Sequence, residues 1–216
     1  MNYLTWDIKK ITDFSDKFVT EMYDRGYVFT RIETGTMHQT RSIRINLKEF
    51  SLTSENRRIL RKGENISLNK NPIPYVDYSW DIAKIAKDFY DKKTDHAFSA
   101  NKIKELIAKG CNFNTLLTFT EDTKKHGYAI CYENNSMIHY SYPFYDIEKS
   151  PKDMGLIMMT KVIADAKFNN ISYVYLGSLQ RPNDTYKLQF EGLEWFDGEK
   201  WSTDQNKVRE ILATNE

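Results

Sequence analysis

Apolar residues recur along the chain in two rhythms that predict its elements. Ile8, Ile11, Phe18 and Met22 keep helical spacing over about residues 7–24, and Gly26 ends that stretch. Two strand-like stretches follow, Tyr27–Ile32 and Met37–Leu47, with Ile43, Ile45 and Leu47 alternating with Ser42, Arg44 and Asn46. Thr53 or Ser54 is placed to cap a short helix through Arg61. Gly63, Pro72, Pro74 and three asparagines make 63–79 read as a connecting loop. Ser79 then opens a helix whose Ile82, Ile85, Ala86 and Phe89 share a face, and another helix runs from about Ser99 to Lys109, ending at Gly110. Residues 111–120, 126–133 and 137–145 read as strands, the last two joined through Glu133-Asn134-Asn135-Ser136. A helix over about 153–168, a strand Ile171–Leu176 bounded by Gly177, a helix from Pro182 to Phe190, a hairpin turning at Asp197-Gly198 and a final helix capped by Thr203 complete the chain.

This order is α+β rather than doubly wound. It predicts a mixed, mainly antiparallel sheet flanked by helices, with a small N-terminal α/β subdomain over 1–70 and a larger domain over 71–216. The break falls in the 63–79 loop.

Composition narrows the function classes. The 216 residues are 40% hydrophobic and 14% aromatic, enough for a packed core. A formal net charge of +1 carries no global nucleic-acid signature, so any RNA contact must come from a local patch. Cys111 and Cys131 are too few and too far apart for a zinc knuckle or disulfide framework, and read as buried free thiols. His38, His96, His126 and His139 lack metal-ligand spacing, and His139, mid-strand, is kept as a remote general-base candidate. No run approaches the roughly 18 apolar residues of a membrane span, and the start of the chain does not read as a signal peptide. A cytoplasmic monomer without cofactor or metal is expected.

Two stretches resemble the arginyl/leucyl-tRNA–protein transferase family, whose catalytic half has the GNAT acyltransferase fold. The first is Phe50 to Lys62, where Ser54, Arg57, Arg58, Arg61 and Lys62 are similar to a Ser-Gln-Arg-Arg element, with Glu55-Asn56 departing from it. The second runs from Tyr142 to Trp201 through Phe144-Tyr145-Asp146, Gly155, Tyr173-Val174-Tyr175-Leu176-Gly177, Tyr186-Lys187, Phe190, Leu193-Glu194 and Asp197-Gly198-Glu199-Lys200-Trp201. The family's N-terminal cysteine cluster has no counterpart, since no cysteine precedes Cys111. The resemblance implies transfer of arginine or leucine from charged tRNA to the α-amine of a protein, with an N-terminal Asp or Glu as acceptor residue.

The chemistry asks for little. An aminoacyl ester is already activated, and about a tenth of a free α-amine is neutral at pH 7. Positioning and oxyanion stabilisation then supply much of the acceleration. Pro143 marks an edge or bulge in its strand. The resemblance places Tyr145 beside the reaction centre and Asp146 at its mouth. Asp146 accepts a proton or holds the incoming ammonium, or else caps the next loop. Arg57 with Arg61, and Arg58 with Lys62, share helix faces. They suit RNA phosphates or an acidic N-terminal residue, or form a solvated basic face. Tyr186 and Lys187 either meet the acceptor end of tRNA or are a core tyrosine and a surface lysine. The loop Lys152-Asp153-Met154-Gly155-Leu156-Ile157 keeps one glycine of the pyrophosphate-wrapping pattern of CoA enzymes, and Asp153 repels phosphate. A CoA-dependent acyltransferase and a non-catalytic tRNA- or peptide-binding relative are the alternatives.

Overall fold

The computed structural model describes residues 3–93, 98–109 and 111–214. His96 and Gly110, one read above for ligand spacing and the other as a helix end, lie outside them. The elements are β1 (Asp7–Lys10), α1 (Asp16–Asp24), β2 (Tyr27–Phe29), β3 (Thr36–Gln39), β4 (Ser42–Asn46), α2 (Ser54–Lys62), β5 (Ser67–Pro72), α3 (Trp80–Lys93), α4 (Ala100–Lys104), β6 (Thr115–Glu121), β7 (Lys124–Glu133), β8 (Met137–Tyr145), α5 (Met154–Phe168), β9 (Tyr173–Ser178), β10 (Leu193–Phe196), β11 (Trp201–Ser202) and α6 (Gln205–Ala213). A π-helical turn, Glu105–Lys109, prolongs α4, and Pro182–Gln189 is a 3₁₀ helix. The α+β class read from the sequence, a mainly antiparallel sheet flanked by helices, is the class observed.

The chain forms two compact units. One takes Met1–Thr53, Asn134–His139 and Ile163–Glu216; the other takes Ser54–Glu133 and Tyr140–Val162. In the first, β1, β3 and β2 form a small antiparallel sheet in that order, and the strands of a second sheet run β11-β10-β4-β9-β8. β4 is antiparallel to both β9 and β10, whereas β8 meets β9 in parallel through Met137, Ile138 and His139. Arg44 ties this unit together. Its guanidinium donates to Asp24 Oδ1 (2.8 Å), Glu194 Oε2 (2.7 Å) and Tyr175 Oη (3.1 Å), and lies 4.0 Å from the ring centroids of both Tyr173 and Trp201. Gly26 carries the chain from α1 into β2 at φ +80°, where a Cβ would lie 2.3 Å from the Phe196 ring.

In the second unit the antiparallel order is β5-β6-β7-β8. Leu116, Leu117 and Phe119 of β6 and Ala129, Ile130 and Cys131 of β7 are buried in near-continuous runs, as expected for strands covered on both faces. Ile82, Ala83 and Ala86 bury the inner stripe of α3, and Ile59 that of α2.

Three local expectations are corrected. Residues 7–10 are a strand, because β1 pairs with β3 from Asp7–Gln39 to Lys10–Thr36. The helix starts only after Ser15, whose side chain accepts from Phe18 N. The 63–79 loop contains β5, paired with β6 over six residues. The last helix is capped by Asp204, not Thr203, through the N–H groups of Asn206 and Lys207.

Arg44→Ala removes the shared partner of Asp24 and the less exposed Glu194. It is expected to lower unfolding stability by about 3 kcal/mol, the lower end for breaking a buried ion pair, as read by urea denaturation.

Candidate active site

The sequence-predicted pair Tyr145 and Asp146 stands at the C-terminal end of β8. The β8–β9 pairing stops at His139–Tyr175, so Pro143 lies beyond that ladder, where its missing N–H costs no bond to β9. The Pro143 carbonyl accepts from Tyr90 Oη at 3.0 Å, which pins α3 to the strand end. Phe144 is fully buried and stacks on Tyr128 at 5.2 Å. Tyr145 turns the other way and packs on Phe89 of α3, 4.8 Å between centroids. Gly127 of β7 makes room for it: a Cβ there would come 2.7 Å from Met158 Sδ and 3.2 Å from Tyr145 Cβ.

The turn after β8 is held from both sides. Asp146 N and Ser150 Oγ both donate to the His126 carbonyl, at 3.3 and 3.0 Å. Asp146 Oδ1 accepts from the backbone N–H groups of Glu148 and Lys149 (both 3.1 Å), and Oδ2 lies 3.4 Å from Lys149 Nζ. Partial burial raises the Asp146 pKa, but the two N–H donors and the Lys149 ammonium outweigh it, so the carboxyl sits below its ordinary range. Asp146 therefore caps its loop as an ionised carboxylate. That makes it a weak base and leaves it suited to hold a cation.

Between this turn and α3 is a pocket of about 290 Å³. Asp81, Lys84, Ile85, Asp88, Phe89 and Lys92 line it from α3, facing Tyr145, Asp146 and the residues to Lys149. Lys92 pairs with Glu148 at 2.8 Å. Among the described residues, no side-chain hydrogen bond or ion pair engages Asp81, Lys84 or Asp88. The wall thus offers free charges of both signs beside an aromatic floor. The sequence reading saw only the apolar stripe of α3. The repeat Asp81, Lys84, Asp88, Lys92 at helical spacing was the available signal for the other face.

The basic residues belong to the same unit. Ser54 begins α2, and Arg57, Arg58, Arg61 and Lys62 are all exposed along it. Arg58 chelates Glu55 (2.7 and 2.5 Å), and Lys62 Nζ meets Asp153 Oδ2 at 2.5 Å, so both already hold carboxylates. Gly63 lets α2 end against α5, since a Cβ would fall 2.3 Å from Ile157 Cγ2. Asp153, at φ +68°, closes the start of α5: its carbonyl takes the N–H groups of Leu156 and Ile157, and Pro151 O takes that of Met154.

Tyr186 and Lys187 lie in the other unit and invert the bland expectation of a core tyrosine beside a surface lysine. Tyr186 is 48% exposed. The Lys187 side chain is largely covered, 12% exposed, with Nζ donating to the Ser178 carbonyl at 2.9 Å and 3.4 Å from Asp184 Oδ1. His139, also in that unit, is 1% exposed and bonded through Nδ1 to Tyr23 Oη at 2.8 Å. Burial, and secondarily the Lys187 charge, lowers its pKa to about 3, so the imidazole is neutral, a weak base and closed off from solvent.

The fold is GNAT-like. No family model and no curated protein matches the sequence, but solved structures share the architecture. One is the C-terminal domain (DUF2156) of a protein assigned as a lysylphosphatidylglycerol synthetase from Agrobacterium fabrum, with TM-score 0.51 and 12% identity over 93% of this chain and 70% of that one. Another is L-PGS from Bacillus licheniformis, with TM-score 0.50 and 12% identity over 76% of this chain. The chain spans about half the length of that L-PGS structure. At such identity the likeness is one of fold. Among the described residues no helix is long and apolar enough to cross a membrane.

The pKa of His139 is lowered on folding, so between about pH 6.5 and 3 the unfolded chain binds the proton first. Stability is lost as pH falls through that window, by up to about 1.4 kcal/mol per unit from this residue. His139→Gln is expected to flatten the pH dependence of urea unfolding between pH 6.5 and 4.5. An unchanged slope rejects a buried neutral imidazole.

Proposed function

We propose that this protein is an aminoacyltransferase that moves an amino acid, arginine or leucine, from charged tRNA to the α-amine of a protein beginning with Asp or Glu. The observation that carries the reading is the pocket at the end of β8. Tyr145 and Asp146 meet there with α3 around a space fit for an aminoacyl group. The donor supplies an activated ester. The neutral α-amine attacks the ester carbonyl, the new C–N bond forms, and the ester C–O bond breaks. The ribose hydroxyl leaves with the proton that the amine gives up.

In this reading Asp146 acts electrostatically. Its carboxylate, kept ionised by two backbone donors, holds the incoming ammonium and orients it. Tyr145, packed on Phe89, shapes the side facing the ester. The basic face of α2, Arg57, Arg58, Arg61 and Lys62, is assigned to the RNA backbone or the acidic acceptor residue, with Arg61 better placed than Arg58 and Lys62, which already hold carboxylates. Tyr186 is exposed enough to stack, whereas Lys187 acts there only by exchanging its present partners.

The start of α5 supports this donor over CoA. A pyrophosphate needs open N–H groups and positive charge at that turn. Here a carboxylate paired with Lys62 stands there, and three N–H groups are already bonded. A fold neighbour assigned as a lysylphosphatidylglycerol synthetase is consistent with aminoacyl transfer on this architecture.

Purified protein, tRNA charged with labelled arginine or leucine, and peptides beginning with Asp, Glu, Lys or Ala make the deciding assay. Mass spectrometry is expected to show one added residue on Asp and Glu peptides and none on Lys or Ala. No gain with either tRNA rejects the reading, and a thermal shift with acetyl-CoA instead favours a CoA-dependent acyltransferase.

Because Asp146 is a weak base, kcat/KM is expected to rise with pH through about 8, following the α-amine of the acceptor. An inflection at pH 4–6 instead makes Asp146 the base. Asp146→Asn keeps the turn's acceptor but not the charge, and is expected to raise the peptide KM roughly 10-fold, the worth of one charge-assisted hydrogen bond.

A further inference from the structure

Trp80 is the first residue of α3 and is 57% exposed, an uncommon position for so large an apolar ring. Among the described residues its indole makes no ring contact and no side-chain hydrogen bond. One turn on, and so on the same helix face, is Lys84, which lines the pocket and has no ion pair. Asp81 and Asp88 stand on the pocket side of the same helix, neither of them held in a side-chain hydrogen bond or an ion pair, with Lys87 and Lys92 near enough to Asp88 to feel its charge. An exposed indole, an ammonium outside any ion pair and carboxylates outside any side-chain hydrogen bond therefore follow one another along a single helix into the candidate active site.

We infer that Trp80 is the stacking platform for the terminal nucleoside of the aminoacyl-RNA donor, with Lys84 on its phosphodiester. The inference rests on the donor proposed above and adds a place for its reactive end. An aminoacyl nucleoside has a flat neutral base, one adjoining phosphate and a cationic α-ammonium. A polyanion groove would want only lysines and arginines. This helix instead offers each part its counterpart: the indole face for the base, Lys84 for the phosphate, and Asp81 and Asp88 for the ammonium. The same carboxylates, with Asp77 beside the exposed Val76, set this surface against an anionic membrane.

The test is binding of a fluorescein-labelled RNA hairpin with a single-stranded 3′ end, made with and without its terminal adenosine, to wild type, Trp80→Ala, Trp80→Phe and Lys84→Ala, each shown folded by circular dichroism. Trp80→Ala is expected to weaken binding roughly 5- to 100-fold, the range for loss of one stacked base, with Trp80→Phe retaining most of it. Removing the terminal adenosine should weaken wild type by a similar factor and Trp80→Ala hardly at all. Equal losses in both proteins, or wild-type affinity in Trp80→Ala, overturn the assignment. If peptides still gain a residue in the transfer assay, only this inference falls; if wild type binds no RNA and transfers nothing, the donor reading falls with it. Phosphatidylglycerol vesicles binding in a Trp80-dependent way assign the residue to lipid and also overturn it.

Discussion

The buried guanidinium of Arg44 is the constraint around which the first unit is arranged. A charge with only 9% of its side chain exposed is tolerable only if its donors are filled and its partners are close. Three elements supply those partners: the end of α1 through Asp24, β9 through Tyr175, and β10 through Glu194. The flat ion fits between the rings of Tyr173 and Trp201, a position a lysine ammonium could not fill in the same way. Strand order follows from this. β4 must lie between β9 and β10 for one side chain to reach both, and that is where it pairs.

The alternation Ile43-Arg44-Ile45 announced β4, but it also placed Arg44 among the solvent-facing positions, and there period alone misleads. Its neighbours on that face bring carboxylates and rings from distant parts of the chain, which no local pattern carries. β1 was missed for a related reason. Ile8 and Ile11 keep helical spacing with Phe18, yet the backbone of 7–10 satisfies itself against β3, and Asp13 and Ser15 begin the helix later. β5 hid behind asparagines and Pro72, all tolerable in an edge strand. Elements whose burial is local in origin, such as α2, β6, β7 and α5, were legible to within a few residues.

The candidate site divides in the same manner. Tyr145 and Asp146 came from a family resemblance, and the structure sets them together at one pocket. The α3 wall opposite was illegible as a site. Charged residues at helical spacing ordinarily mark a solvated face, and only the approach of the β8 turn makes a pocket of them. Lys187 shows the converse. A lysine beside a tyrosine reads as a surface residue, and only Ser178 and Asp184, brought to it by the fold, explain why its side chain is largely covered.

Pro143 connects the strand to the chemistry. A proline cannot donate to a ladder, so its place in β8 is where the pairing with β9 has already ended. Its carbonyl receives the Tyr90 hydroxyl, and Tyr90 is stacked in turn on Phe98 at 4.4 Å. One hydrogen bond backed by an aromatic contact thus sets the distance between α3 and the end of β8. That distance is the width of the pocket. Its walls, Tyr145 on one side and Phe89 on the other, are already in contact at the base. The site therefore depends less on any acid or base of unusual strength than on how firmly α3 is held against the strand. Such a division suits a reaction whose substrate arrives activated and needs chiefly to be placed.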